Sequence, residues 1–226
     1  MPNLAIVGYG KMGKLIEKLA SEFGFTVTLK LDEFNNAKFE GITAENFQGV
    51  DVAIDFSIPG AVVTNAEKIA ALGVNLVIGT TGWQQHLEAV RKSAAGIGLV
   101  WSPNFSIGVN AFFRIVAEAS RALAAEDSYG SWAWEIHHAT KKDAPSGTLL
   151  KLVDEMKKAG YSRQIDVSSN RAGTHPGTHE IGFDSSADTI TLRHTARNRE
   201  GFARGALKAA QWVVGKKGFY EFSEIL

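Results

Sequence analysis

The fold is decided by the stretch LAIVGYGKMG, which spans residues 4–13. Four apolar residues, typical of a buried parallel strand, run directly into glycines spaced G-x-G-x-x-G. In such a turn Gly8 permits the tight bend, Gly10 lets the backbone approach a pyrophosphate, and Gly13 allows close packing of helix on strand. The stretch therefore predicts a strand, a turn and a helix that bind a dinucleotide.

The residues that follow extend this unit in the order that dinucleotide binding requires. Apolar residues at helical spacing come after the turn, and a strand at Thr26–Leu31 then ends on Asp32. A carboxylate about 20 residues beyond the turn accepts hydrogen bonds from a ribose. A plain α/β turn is the alternative explanation of the glycines, but the context on both sides favours dinucleotide binding.

The type of nicotinamide cofactor is left open by these residues. Asp32 favours the ribose diol of NADH and repels the 2′-phosphate of NADPH. Lys11, Lys14 and Lys30 are near in sequence, and their charge could offset that repulsion.

Three further predicted strands of the first half end in loops of small polar residues, at Phe56-Ser57, Gly79–Gly82 and Ser102–Ser106. Ligands of open parallel sheets gather beyond such strand ends, although turn chemistry alone also explains these residue types. Too few residues separate Asp32 from Val52 for a full crossover helix, so we expect an abbreviated connection or a loop there.

A second decisive stretch is EIHHATKKDAPSGT, at residues 135–148. The residues around its start alternate in period two and place Trp132, Trp134 and Ile136 on one face of a half-buried strand. That strand delivers two histidines at its end.

A helix is predicted to begin after Pro145, because apolar residues then recur at helical spacing. Ser146, Gly147 and Thr148 therefore lie where unpaired N–H groups and the positive end of the helix dipole bind anions. A simple helix cap is the alternative explanation.

His137 and His138 stand beside this helix start and can donate protons near neutral pH, while Lys141 carries a fixed positive charge. A purely structural role is the alternative for either histidine taken singly. The combination suits a small acidic substrate that receives a proton during the reaction.

Short predicted strands follow Gly160 without alternating helices, which indicates an antiparallel or mixed sheet in a second domain. We predict an α/β protein with a Rossmann-like dinucleotide-binding domain (1–106 and 199–226) and an α+β substrate and oligomerisation domain (107–198). One main helix covers that second sheet in this prediction, so its other face meets solvent or another subunit.

Composition narrows the function classes. The 226 residues include 24 Lys and Arg and 24 Asp and Glu, a balance that favours neither nucleic acid nor an acidic membrane. The absence of cysteine excludes disulfides and thiolate chemistry. No signal peptide and no apolar run of ~20 residues is present, so a cytoplasmic protein is expected. His175 and His179 flank Pro176-Gly177 with no third ligand close by, and no metal site is expected.

The stretch at residues 135–148 resembles the E-x-H-H-x-x-K-x-D-A-P-S-G-T signature of the 4-hydroxy-tetrahydrodipicolinate reductase family, also called dihydrodipicolinate reductases. Family motifs D-F-[ST], G-T-T-G and N-F-S-x-G-V-N recur from Asp55 onwards, and the resemblance extends from Gly8 to Gly205. The family's glycine loop is one residue longer than this one.

The resemblance implies an NAD(P)H-dependent reductase that converts (2S,4S)-4-hydroxy-2,3,4,5-tetrahydrodipicolinate to tetrahydrodipicolinate and water, in the diaminopimelate route to L-lysine. It implies His137 and Lys141 as the catalytic pair, and His138, Ser146, Gly147 and Thr148 as residues that bind a cyclic dicarboxylate. It also implies a homotetramer joined through the second sheet.

For the cofactor, the resemblance together with the glycine turn implies contacts from Gly8, Tyr9, Gly10, Lys11, Met12, Gly13, Asp32, Phe56, Gly79, Thr80, Thr81, Ser102, Pro103, Asn104, Phe105 and Arg199. The family often has a basic residue after the acidic one, and here that place holds Glu33. A slight preference for NADH over NADPH follows.

Two other functions fit part of the sequence. Another two-domain amino-acid or sugar dehydrogenase would share the glycine turn but has no reason to carry the His-His-x-x-Lys run. A non-catalytic NAD(P)-sensing module would keep Gly8–Gly13 and lose the signature, which this chain retains.

Overall fold

The computed structural model describes residues 1–226, which form ten strands and six α-helices. In chain order these are β1 (Asn3–Val7), α1 (Lys11–Ala20), β2 (Thr26–Leu31), β3 (Val52–Asp55), α2 (Val62–Ala71), β4 (Asn75–Ile78), α3 (Leu87–Ser93), β5 (Gly98–Trp101), α4 (Ile107–Ala122), β6 (Gly130–His137), α5 (Gly147–Lys158), β7 (Ile165–Arg171), β8 (Thr178–Asp184), β9 (Thr189–Thr195), α6 (Glu200–Val213) and β10 (Gly218–Glu221).

The first unit is built on a six-stranded sheet in the order β10-β5-β4-β3-β1-β2, in which every pairing is parallel. Both faces are covered, so successive residues of β1 enter different cores. Leu4 and Ile6 pack with residues of α1 and α6, whereas Ala5 and Val7 pack with residues of α2 and α3. Because all the strands are parallel, their carboxyl ends lie along one edge of the sheet, where ligands of this architecture bind.

The connection between β2 and β3 contains neither a helix nor a strand, as its length predicts. Ile42, Phe47 and Val50 are nevertheless buried and join the core on one face of the sheet. Apolar side chains of a loop therefore fill part of the space that a crossover helix would occupy.

The second unit is built on a four-stranded mixed sheet in the order β7-β6-β8-β9, as predicted. Strands β6 and β7 are parallel, and the other two pairings are antiparallel. The expectation of one main covering helix is wrong, because α4 contributes Phe112 and Val116, and α5 contributes Leu152 and Met156, to the same core.

Strand β6 alternates as predicted, but its buried face is not the tryptophan face. Ala133, Glu135 and His137 are buried, while Trp132 and Trp134 are half-buried on the opposite face. None of the three hydrophobic cores includes either tryptophan. The open face of this sheet is therefore aromatic, and a carboxylate points into the covered side.

The two compact units comprise residues 1–106 with 200–226, and residues 107–199. Arg199 thus falls at the end of the second unit, one residue from the division expected. None of the helices is both long and apolar enough to cross a membrane.

Candidate active site

The three glycines of the first turn differ in what surrounds them. Gly8 has φ +90°, and a Cβ there would lie 2.3 Å from the Phe56 carbonyl oxygen. A Cβ on Gly13 would lie 2.6 Å from the Gly8 carbonyl oxygen, whereas one on Gly10 would meet nothing within 4 Å. Gly8 and Gly13 are therefore needed to form the turn, and Gly10 leaves open space at the uncapped N-terminus of α1.

Hydrogen bonds fix this turn beside the end of β2. The backbone N–H groups of Gly8 and Tyr9 both donate to the Leu31 carbonyl oxygen, each at 2.9 Å. The next residue, Asp32, accepts hydrogen bonds at Oδ1 from the N–H groups of Phe34 (2.8 Å) and Asn35 (3.3 Å). The turn and an oriented carboxylate thus lie side by side, with Oδ2 left for a ligand.

Lys30 is engaged by a neighbouring acid. Its Nζ lies 2.9 Å from Glu17 Oε1 and 5.2 Å from the centre of the Tyr9 ring. The Tyr9 hydroxyl also donates to Glu17, and this hydrogen bond raises the pKa of the tyrosine. Glu17 therefore neutralises one of the three lysines, Lys11, Lys14 and Lys30, that could have offset the charge of Asp32.

A buried carboxylate holds the loops that follow β3 and β4. Asp55 is 1% exposed and accepts hydrogen bonds from Ser57 N (2.8 Å), Ser57 Oγ (2.7 Å), Thr80 Oγ1 (2.8 Å) and Asn65 Nδ2 (2.8 Å). Its carbonyl oxygen accepts from the N–H of Gly79 at 2.8 Å. The sequence analysis named Asp55 only as part of a motif and gave it no role. A carboxylate at the end of an apolar strand is a pattern that could have predicted one.

The predicted cofactor residues of these loops divide into buried and exposed ones. The side chains of Thr80, Ser102 and Phe105 are buried, and the Phe105 ring packs 4.8 Å from that of Phe222. Thr81 and Pro103 are exposed at the same strand ends. The side chains of the buried residues make contacts within the fold: Thr80 donates to Asp55, Ser102 donates to the Asn104 carbonyl oxygen, and Phe105 packs on Phe222.

The remaining predicted cofactor residues lie in exposed or partly exposed positions. Lys11 and Arg199 are exposed, and Met12, Phe56 and Asn104 are partly buried. Phe56 packs against Gly79, where a Cβ would lie 2.1 Å from its ring. Phe56 therefore requires a glycine at that position of the next loop.

The signature segment contains the helix start that its sequence predicts. Ser146 is the N-cap of α5, and its side chain accepts a hydrogen bond from Leu149 N at 3.2 Å. Gly147 is exposed, and a Cβ there would meet nothing within 4 Å. The first turn of α5 is thus open to an anionic group.

Strand register places a polar cluster next to this helix start. Glu135 of β6 pairs with Ser169 of β7 and with His179 of β8, and all three point to the covered face. Glu135 is fully buried and accepts hydrogen bonds from Ser146 N (2.8 Å), Ser146 Oγ, Ser169 Oγ (3.1 Å) and Arg171 Nη2 (2.9 Å). One carboxylate therefore joins β6, β7 and α5.

Two imidazoles complete the cluster. His137 Nδ1 and His179 Nε2 each lie 3.3 Å from Glu135 Oε2, and their rings meet edge to face at 5.2 Å. Burial alone would raise the pKa of Glu135, but contacts with both histidines and hydrogen bonds from Ser146 and Arg171 outweigh it and hold that pKa far below its usual value. The carboxylate is therefore ionised.

His179 and His137 differ in their surroundings. Burial lowers the pKa of His179 despite its contact with Glu135, and the charges of His137 and Lys141 lower it further. His137 is 8% exposed, and its Nε2 faces Gly177, where a Cβ would lie 2.8 Å away. The His137 ring therefore packs against Gly177, and a side chain at that position would collide with it.

The bend after β6 positions Lys141. Its backbone N–H donates to the His138 carbonyl oxygen at 3.1 Å, and its Nζ lies 2.6 Å from Asp143 Oδ1. The His138 ring meets Thr140 Oγ1 at 2.8 Å through Nδ1. The structure thus joins His137 to the start of α5 through Glu135, and it places Lys141 near enough to His179 to lower the pKa of that histidine.

Glu135, His137 and His179 also have ligand atoms within 4.8 Å of one another, a spacing that could hold a metal ion. The carboxylate already accepts several hydrogen bonds, one of them from a guanidinium, which would repel a cation. The chemistry of the donor set therefore fits a hydrogen-bonded cluster better than a metal centre.

Sequence reasoning missed part of this cluster because its members come from distant strands. Ser169 and Arg171 are 34 and 36 residues from Glu135 and reach it only through the pairing of β6 with β7. The spacing of two between Glu135 and His137 was the available signal, since it places both on one face of a strand.

Comparison with known proteins gives matches along nearly the whole chain. The family model described as "Dihydrodipicolinate reductase, N-terminus" matches residues 2–105, and "Dihydrodipicolinate reductase, C-terminus" matches residues 108–226. A 4-hydroxy-tetrahydrodipicolinate reductase of Methanosarcina barkeri is 40% identical and covers 100% of this chain and 99% of its own length. A 4-hydroxy-tetrahydrodipicolinate reductase of Thermosipho africanus is 36% identical, and the match covers 99% of this chain and 97% of that protein.

A solved structure shares the fold. The dipicolinate-bound dihydrodipicolinate reductase from Paenisporosarcina sp. TG-14 superposes with a TM-score of 0.82 at 23% identity, covering 100% of both chains.

Proposed function

This chain belongs to the dihydrodipicolinate reductase family of NAD(P)H-dependent oxidoreductases in lysine biosynthesis, and from that premise we propose how its residues divide the reaction. The first unit binds the dinucleotide. The second unit binds the substrate, supplies the proton and forms the subunit interface. A different amino-acid or sugar dehydrogenase and a non-catalytic sensor are not favoured by these matches.

The dinucleotide fits the edge of the first sheet. Gly10 leaves room for a pyrophosphate at the uncapped start of α1, and Asp32 Oδ2 can accept hydrogen bonds from a ribose. The loops held by Asp55 would border the nicotinamide, which supplies the hydride when bound. The residues present therefore suit this cofactor without rearrangement of the turn.

NADH is the preferred cofactor in this proposal. Asp32 repels a 2′-phosphate, Glu33 adds a second negative charge, and the charge of Lys30 is already paired with Glu17. The ratio of kcat/KM with NADH to kcat/KM with NADPH should exceed one in wild type. It should fall in Glu17→Gln, which frees Lys30 to bind the phosphate.

The substrate is a small cyclic dicarboxylate. One carboxylate would bind the first turn of α5 at Gly147 and Thr148, beside the predicted residue Ser146, whose own N–H and hydroxyl already donate to Glu135. His138 would donate to the diacid. The observation that supports this site is the open helix start at Gly147, on the same short segment as two histidines and a lysine. The dipicolinate in the Paenisporosarcina protein is a diacid of this class.

His137 is the proposed general acid, and Lys141 is the second proton donor or electrostatic partner. Hydride addition builds negative charge on the acceptor, and a positioned acid neutralises it as it forms. The substrate loses water and gains a hydride and a proton, so 4-hydroxy-tetrahydrodipicolinate becomes tetrahydrodipicolinate.

Assembly is proposed to use the open face of the second sheet, giving a homotetramer. Trp132 and Trp134 are half-buried there, and a Cβ on Gly182 would lie 2.0 Å from the Trp132 ring, so the ring lies flat over the sheet. Aromatic residues outside any core are typical of interface centres.

A coupled assay tests the reaction. Dihydrodipicolinate synthase would generate the unstable substrate in the cuvette, and the fall in nicotinamide absorbance would be followed with NADH and with NADPH. We expect oxidation that depends on the synthase. Failure to oxidise either cofactor would contradict the proposal.

A further inference from the structure

Glu135 is a fully buried carboxylate that the proposed reaction does not use. It stands two residues before His137 on the same strand face, and Ala133 on that face belongs to the hydrophobic core. Burying an ion is unfavourable, and a well-packed apolar residue is often at least as stable. Stability alone is therefore a weak reason for this residue.

The position of the carboxylate is fixed without help from His137. Ser146 holds it from the N-cap of α5, and Ser169 and Arg171 hold it from β7. Oε2 lies 3.3 Å from both His137 Nδ1 and His179 Nε2. The buried His137 Nδ1 makes no hydrogen bond to any other group, so Glu135 is the acceptor within its reach. His137 thus meets an acceptor that is rigid before any substrate binds.

The titratable groups of this cluster come from four elements. Glu135 lies on β6, Arg171 on β7 and His179 on β8, while Lys141 and Asp143 follow β6 as an ion pair at 2.6 Å. Arg171 balances Glu135, and Asp143 balances Lys141. His179 stays neutral because burial lowers its pKa. Glu135 is therefore the negative group nearest to His137 Nδ1.

We propose that Glu135 is a positioning residue for proton transfer, a role that rests on the proposed function of His137. Its carboxylate binds the Nδ1–H of His137, so that Nε2 carries the proton given to the substrate. Through Ser146 the same carboxylate fixes the start of α5, where the substrate carboxylate is proposed to bind. The Glu135 carboxylate thereby positions both the proposed proton donor, His137, and the proposed binding site for the substrate carboxylate.

The proton balance is simple. The N–H bond at Nε2 of the imidazolium breaks, its electron pair stays on the ring, and the proton passes to the substrate atom that gains charge. The neutral ring keeps its proton on Nδ1, bound by Glu135, and Nε2 is protonated again from solvent before the next turnover. Contacts of this kind fix the tautomer of a histidine and stabilise its charged form.

The experiment compares Glu135→Gln, Glu135→Asp, His137→Gln and a control, Glu155→Gln, in the coupled assay. Glu155 lies on α5 and pairs with Lys158 at 4.0 Å. Glu155→Gln removes one negative charge, as Glu135→Gln does. In Glu135→Gln we expect kcat to fall about 10–100-fold, because the amide cannot hold the imidazole as the carboxylate does. KM for the cofactor and the kcat of the control should not change.

Glu135→Asp keeps the charge and shortens the reach. It should lower kcat and increase the solvent deuterium isotope effect on kcat, because proton transfer becomes slower. These readouts also decide the question if Glu135→Gln does not fold. Wild-type kcat in either variant, or an unchanged isotope effect in Glu135→Asp, would overturn the inference.

His137→Gln separates the two levels of the proposal. If it loses turnover while the Glu135 variants keep theirs, only the positioning role is wrong. If His137→Gln keeps wild-type turnover, the assignment of the donor fails, and the role of Glu135 fails with it.

Discussion

Glu135 and His137 show how a shift of one residue along a strand moves a side chain from one face of the sheet to the other. They point to the covered face of β6 with Ala133, and the residues between and before them point to the open face. A side-chain period of two means that no residue of this strand serves both faces. Catalytic substitutions can therefore be made here without altering the open face.

The first prediction at this scale concerns the proton donors. His137→Gln or Lys141→Ala should lower kcat by about 10²–10⁴-fold for a lost general acid, because the charge formed on hydride addition is no longer neutralised. Cofactor affinity, measured by quenching of protein fluorescence with NADH, should stay near wild type. Normal turnover in both variants would mean that other groups supply the proton.

The second prediction concerns acid stability. The folded-state pKa of Glu135 is held far below its ordinary value, so the stability it contributes is present above the unfolded value of about 4.3 and is lost as the pH falls below it. One such group changes the free energy of unfolding by at most about 1.4 kcal/mol per pH unit. Urea unfolding between pH 6 and 3 should show a shallower decline in Glu135→Gln than in wild type. Equal slopes would show that this carboxylate is not selectively stabilised by folding.

At the scale of elements, the turn between β1 and α1 separates residues that form the structure from residues that leave room for a ligand. Gly8 needs its positive φ and its approach to Phe56, whereas the space around Gly10 is empty. The two glycines should therefore respond differently to the same substitution.

Gly8→Ala should destabilise the protein by at least about 1–3 kcal/mol from backbone strain, with a further cost from the Cβ that would lie 2.3 Å from the Phe56 carbonyl oxygen. Gly10→Ala should cost less than about 1 kcal/mol as a change of helix cap, yet weaken NADH binding, since the added methyl group occupies the place of the pyrophosphate. Thermal unfolding without ligand and NADH titration give the two readouts. Equal NADH affinity in Gly10→Ala and wild type would remove Gly10 from the site.

Elements whose signals are local could be read from the sequence, and contacts between elements could not. The glycine turn, the strand that ends on Asp32 and the start of α5 follow from residues close together in the chain. The buried face of β6 depends on α4 and α5, which pack on it, and the partners of Glu135 depend on the register with β7 and β8. The tryptophans carry more apolar area than Ala133, so composition alone points to the wrong face.

At the scale of the whole molecule, two units with separate cores divide cofactor and substrate binding between them in our proposal. Family membership rests on two family models, one of which matches residues 2–105 and the other residues 108–226. In the proposed tetramer another copy of the chain covers the open aromatic face of the second sheet.

The prediction at this scale is that a substitution on the open face of the second sheet lowers the mass of the assembly in solution. Trp134→Glu should convert the tetramer to smaller species in sedimentation velocity or light scattering, because it buries a charge in the interface. Ile115→Glu, on an exposed position of α4 outside that face, is the matched control and should keep the wild-type mass. A monomeric wild-type protein would contradict the proposed assembly.

The return of α6 and β10 to the first sheet has a consequence for biosynthesis. Leu207, Ala210, Val213 and Phe222 complete the core that Leu4 and Ile6 begin, and β10 pairs with β5. A nascent chain leaving the ribosome therefore holds half of that core exposed until residues 200–226 emerge, while the intervening unit, contiguous in sequence, can already be folded. The first unit begins synthesis first but completes its core last, and chaperones would bind it while that core is still incomplete.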